Sequence, residues 1–158
     1  MSIHPTSIID PSAKIAKDVQ IGPFCTIGED VQIESGSKII SHAVIKGPTV
    51  IGKDNCIYQF STIGDDTPDK KFKGEKTKLI IGDNNIFREG VTVHRGTVQD
   101  NSVTTIGSNN LFMPFAHVAH DCIVGNDNIF ANLAALAGHV HVGLSLIHIS
   151  EPTRQSSI

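Results

Sequence analysis

Apolar residues recur at every sixth position along this chain, a period that belongs neither to a helix nor to a simple alternating strand. Isoleucine alone fills ten consecutive places of one phase: Ile9, Ile15, Ile21, Ile27, Ile33, Ile39, Ile45, Ile51, Ile57 and Ile63. A hexapeptide repeat of this kind predicts a parallel β-helix, with one short strand per hexad and each Ile directed at the axis. Burial of each such side chain contributes about 1.5–3 kcal/mol, so the stack alone can organise a domain. The position after the Ile is often Gly (Gly22, Gly28, Gly52, Gly64), which suits a backbone that must bend at a corner. The position four after it is mostly small, as in Ala13, Val19, Cys25, Ser37, Ala43, Asn55 and Ser61, because a large side chain would clash inside a corner. Cys25 and Cys122 take this slot and read as small buried hydrophobes.

Two breaks interrupt the phase. Between Gly64 and Leu79 lie Asp65, Asp66, Asp69, Lys70, Lys71, Lys73, Glu75, Lys76 and Lys78, and the repeat resumes at Ile81. This predicts an external loop over residues 64–79 that leaves the solenoid and re-enters in register, as insertions on a binding face commonly do. A second break at Thr97–Thr105 shifts the phase by one, after which Ile106, Phe112, Val118, Val124, Phe130, Leu136 and Val142 continue it. With three strands to a coil, these hexads make about six to seven triangular coils. The phase stops after Gly143, so residues 1–143 read as the β-helix domain and 144–158 as a non-repeat tail. In that tail Leu144, Leu146, Ile147 and Ile149 offer a capping strand, but the preferred reading is a repeat cut off and followed by unrelated sequence.

Composition adds bounds. The chain of 158 residues suits one domain, and a net charge of −3 with 18% charged residues carries no polybasic footprint for nucleic acid. Three unpatterned cysteines give neither a disulfide framework nor zinc-finger spacing, consistent with a reducing compartment. No run approaches a transmembrane segment and no signal sequence opens the chain, so a soluble, cytoplasmic protein is expected.

Candidate chemistry gathers late in the chain. His94, His117, His120, His139 and His141 lie within two or three coils of one another once the insertion is discounted. His117 and His120 flank Val118 across one corner, with His94 and His139 about one coil away on either side. Three readings stand: surface histidines without a role, a shared zinc site, or a general base among polar neighbours that bind an anionic substrate. Asp121 directly follows His120, and a carboxylate there can set the imidazole tautomer and raise its basicity.

Three blocks make the pattern specific. VTVHRGT (Val91–Thr97), AHVAHDCIVGN (Ala116–Asn126) and LAGHV (Leu136–Val140), with IYQFSTIG (Ile57–Gly64) and the charged loop, resemble the UDP-N-acetylglucosamine acyltransferases of lipid A biosynthesis over residues 1 to about 143. The resemblance implies an all-β, left-handed parallel β-helix that forms a homotrimer with sites in the clefts between subunits. It implies transfer of an (R)-3-hydroxyacyl group from acyl carrier protein to the 3-hydroxyl of UDP-N-acetylglucosamine, without cofactor or metal. His120 would be the general base, Asp121 its orienting partner, and Gly138 the backbone N–H donor to the oxyanion. Asp69, Lys71, His94, His117 and His139 would contact the sugar nucleotide. The family is longer, with further coils and a C-terminal helical region that carry uridine, diphosphate and acyl-length determinants. An N-terminal fragment that binds nucleotide poorly and transfers slowly or not at all is therefore expected.

Rival readings come from other classes. A γ-type carbonic anhydrase shares the trimeric helix and places three histidines on zinc, but its last two ligands are spaced more widely than His117 and His120. The N-acylating sister enzyme of the same pathway carries an extra N-terminal domain, whereas hexads here begin within the first ten residues. A non-catalytic β-helix that trimerises or scaffolds completes the set.

Overall fold

The structure is a computed structural model and describes residues 1–146. Each hexad becomes a strand of two to four residues whose last apolar side chain turns inward, as in Gln20–Ile21, Lys38–Ile39 and Ile123–Val124. Twenty-one strands form three seven-stranded sheets, every neighbouring pair parallel and one coil apart in sequence. Seven coils result, one strand more than the hexads counted from Ile9, because Ser2–Ile3 opens the first sheet. No helix long and apolar enough to cross a membrane occurs among the described residues.

Registry makes the core a set of columns. In the first sheet Ile3, Ile21, Ile39, Ile57, Phe87, Phe112 and Phe130 stand on one another as direct partners. The three Phe rings stack nearly parallel, with centroids 4.9 and 4.6 Å apart. Stacked pairs of this kind contribute about 0.5–1.5 kcal/mol beyond the area they bury. The slot four after the inward residue forms a second column, and where it holds Asn the side chains make a buried ladder. Asn85 Nδ2 donates to Asn55 Oδ1 at 3.0 Å and Asn110 Nδ2 donates to Asn85 Oδ1 at 3.0 Å. The backbone N–H groups of Asn85, Asn110 and Asn128 donate to the same row of oxygens, so each buried amide is satisfied.

The corners bend differently from the sequence expectation. The left-handed residue is the third after the inward one: Phe24, Asp30, Gly36, His42, Asp54, Phe60 and onward to His139 and Ser145. Glycine at the first position serves close approach instead. A Cβ on Gly22 would lie 1.6 Å from the Ile40 carbonyl oxygen of the next coil, and one on Gly52 2.5 Å from that of Gly82. Coil spacing, rather than backbone freedom, therefore selects most of these glycines.

The two insertions leave the columns intact. The Asn85–Asn55 contact spans 30 residues and Asn110–Asn85 spans 25, against 18 for Asn128–Asn110, yet in each rung the upper backbone N–H donates to the lower Oδ1 at 2.9 Å. The first insertion runs between the strands Thr62–Asp65 and Lys78–Ile81. Its root is tied down by the buried Arg95, which donates to the Gly64 carbonyl at 2.6 Å and pairs with Asp66, and by a Lys76–Asp30 ion pair. Residues 144–146 still follow the corner pattern: Ser145 is left-handed and the Leu146 carbonyl accepts the Ile129 N–H at 2.8 Å. The remainder of the tail, with Ile147 and Ile149, lies outside the described residues.

Truncating the middle ring of the aromatic column tests this packing. Phe112→Ala should cost about 3–5 kcal/mol in urea denaturation, while Thr26→Ala on an outward position should stay within about 0.5 kcal/mol.

Candidate active site

The histidines cluster where the second sheet meets the corner leading to the third. Thr92 and His117 are direct partners in the second sheet, so the coil register stacks His117 beside the end of strand Thr92–His94. His117 Nδ1 and the Thr92 hydroxyl share a 2.6 Å hydrogen bond, and His94 meets the His117 ring edge-on at 5.0 Å. Both imidazoles are half-buried, and burial pushes both below the ordinary histidine range. His117 and His120 lower His94 further, with Asp65 opposing them. His94 Nδ1 is buried without a protein partner.

One corner further on, His120 and Asp121 converge. His120 Nδ1 lies 2.8 Å from Asp121 Oδ2, and Asp121 is itself buried in the left-handed corner position. Adjacent side chains normally diverge, and the corner is what turns these two together. Thr97 clamps the carboxylate, its N–H donating to Oδ1 at 2.9 Å and its hydroxyl to Oδ2 at 2.5 Å. Thr104 accepts the Asp121 N–H at 2.8 Å. Burial alone would raise the Asp121 carboxyl, but the Thr97 and His120 hydrogen bonds outweigh it and hold the group below its usual range. An ionised Asp121 accepts Nδ1–H and leaves His120 Nε2 with its lone pair facing outward.

His139 occupies the equivalent corner of the next coil, its N–H donating to the His120 carbonyl at 3.0 Å. The two rings pack edge to face with centroids 4.9 Å apart. His139 Nδ1 lies 2.8 Å from Asp100 Oδ2, so a second carboxylate–imidazole pair stands beside the first. Gly138 fits against the His120 ring: a Cβ there would come within 2.6 Å of Nε2. Any larger residue there would crowd His120 Nε2.

The charged loop contributes less directly. Asp69 Oδ1 accepts the Lys71 N–H at 2.9 Å and its own N–H donates to Thr67, so the carboxylate serves a local turn. Neither Asp69 nor Lys71 shares a hydrogen bond or ion pair with the four clustered histidines among the described residues. Only the loop's root reaches them, through Asp65, which pairs with His94 in the sheet register. Thr97, Thr104 and Asp100 are hydrogen-bond partners of Asp121 and His139 that the sequence does not single out. All three lie in or beside the second break, where the repeat offers no phase. Among the described residues the clustered imidazoles fall into two edge-on pairs, His94 with His117 and His120 with His139.

Comparison with known proteins fits this geometry. The family model described as GMPPB C-terminal domain matches residues 3–109, and the bacterial transferase hexapeptide model matches residues 104–138. An acyl-[acyl-carrier-protein]–UDP-N-acetylglucosamine O-acyltransferase of Saccharophagus degradans is 64% identical over 133 residues, covering 84% of this chain and 52% of the relative. One from Stutzerimonas stutzeri is 62% identical over 141 residues, covering 89% and 55%. The solved structure of LpxA from Acinetobacter baumannii superposes with a TM-score of 0.91 at 58% identity, over 92% of this chain and 56% of that one. UDP-N-acetylglucosamine O-acyltransferase from Moraxella catarrhalis gives 0.91 at 50% identity, over 93% and 57%. The chain thus spans about half the length of the relatives it matches.

Titration of the buried pair should be visible in stability. His94 and His117 have folded values below the unfolded value of about 6.5, so the unfolded chain takes up protons first as pH falls. The melting temperature should therefore hold above about pH 7 and decline below about pH 6.5. The His94→Gln/His117→Gln double variant should flatten that decline when thermal unfolding is followed by circular dichroism.

Proposed function

We propose, for a chain that belongs to the UDP-N-acetylglucosamine O-acyltransferase family and, in its repeat, to the family of the GMPPB C-terminal domain, that it carries the base-bearing part of an acyl-transfer site. The reaction is transfer of an (R)-3-hydroxyacyl group from the thioester of acyl carrier protein to the 3-hydroxyl of UDP-N-acetylglucosamine, the first step of lipid A biosynthesis. The observation that carries the reading is the His120–Asp121 pair, 2.8 Å apart, with its carboxylate locked by Thr97.

A sugar hydroxyl is a weak nucleophile at neutral pH, and a positioned base contributes about 10²–10⁴-fold. His120 Nε2 takes the hydroxyl proton as the oxygen attacks the thioester carbonyl. Asp121 stabilises the imidazolium that forms and keeps its Nδ1–H in place. The Gly138 N–H steadies the oxyanion of the tetrahedral intermediate. Collapse breaks the carbon–sulfur bond, and the imidazolium returns its proton to the leaving thiolate. Asp69, Lys71, His94, His117 and His139 contact the sugar nucleotide.

The site is completed in a homotrimer, in the cytoplasm. The corner between the first and second sheets carries Phe24, Phe60, Phe115 and Leu133, each more than half exposed. His42 lies between the first two rings at 5.0 and 5.5 Å, making one apolar ridge along several coils. A ridge of that length is a surface for another copy rather than for water.

With enzyme in excess, so that slow transfer is still read, His120→Ala should lower acyl transfer by about 10²–10⁴-fold. Sedimentation should give the same trimer for both proteins. Unchanged transfer would assign the base elsewhere, and a monomeric unsubstituted chain would remove the trimer.

A further inference from the structure

The His120–His139 corner has a second chemical capacity. His120 and His139 each have Nδ1 engaged by a carboxylate oxygen at 2.8 Å, from Asp121 and Asp100 respectively. Each imidazole is thereby fixed with Nε2 as its free nitrogen, the arrangement in which outer carboxylates orient histidine ligands and raise their basicity. One ring nitrogen from each of His120 and His139 and one Asp121 carboxylate oxygen lie within 4.8 Å of one another. Asp121 already accepts from Thr97 and His120 on both oxygens, which leaves the two imidazoles as the direct donors. His139 is exposed, so an ion reaches them from solvent.

We propose that His120 and His139 form a two-imidazole site for a divalent transition-metal ion of the zinc class, with water filling its remaining positions and Asp121 and Asp100 as outer carboxylates. Imidazole nitrogen selects zinc-like ions over magnesium or calcium, which prefer oxygen. An ion on His120 Nε2 occupies the lone pair that proton abstraction needs, so metal and acceptor hydroxyl exclude each other. That consequence rests on His120 as the base, whereas the binding itself does not.

The test is calorimetric titration of the purified chain with zinc chloride. One zinc per chain should bind, His139→Ala should abolish this binding, and Asp100→Asn, a change on an exposed loop, should weaken it about 10–100-fold. Magnesium chloride should give no heat at the same concentrations. Absence of zinc binding, or binding with unchanged affinity in His139→Ala, would overturn the site. If zinc binds as described but acyl transfer is not inhibited, the metal site stands and the assignment of His120 as base fails.

Discussion

Hydrogen bonding between successive parallel coils is the constraint on which every other feature of this molecule depends. Each strand is too short to persist alone and is held by the coil below and the coil above. Because the pairing is parallel and in register, chemically equivalent positions stack, and one favourable choice is repeated along the axis. Aliphatic and aromatic residues share the inward slot of the hexad, and the amide column takes the slot four after it. The same rule governs the outside: His117 stands on Thr92, and His139 takes the left-handed corner position one coil above Asp121.

That construction explains how the histidine–carboxylate arrangement arises from residues spread over the second half of the chain. The corner residue is left-handed, which turns its side chain toward its predecessor, and Asp121 meets His120 for that reason. The seven-residue excess of the second insertion then supplies Thr97 and Asp100 from the coil below. The interruption in the repeat is thus where the chemistry is built, while the uninterrupted repeat supplies the rigid platform.

Most of the architecture is legible in the sequence, because a column of identical β-branched residues leaves one arrangement that buries them all. The histidine cluster is legible for a related reason, since the hexad count locates side chains on faces. Corner conformation is not legible: Phe24, Phe60 and Leu133 are left-handed although their side chains disfavour it, because coil-to-coil bonding overrides local preference. The glycines at the first corner position signalled bending when they in fact mark close approach, and only interatomic distances separate the two. Asp100 and Thr97 fall where the period lapses. Asp69 and Lys71 lie in a loop with no period, and nothing in their spacing says which way they face.

A base at this corner requires that His120 present an unprotonated Nε2. Two-bond proton–nitrogen correlation of the imidazoles in uniformly ¹⁵N-labelled chain reads the tautomer directly. The predicted result is a neutral His120 protonated on Nδ1, with an unprotonated Nε2, reverting to a tautomer mixture in Asp121→Ala. A His120 protonated on Nε2, or a tautomer indifferent to Asp121, would contradict it.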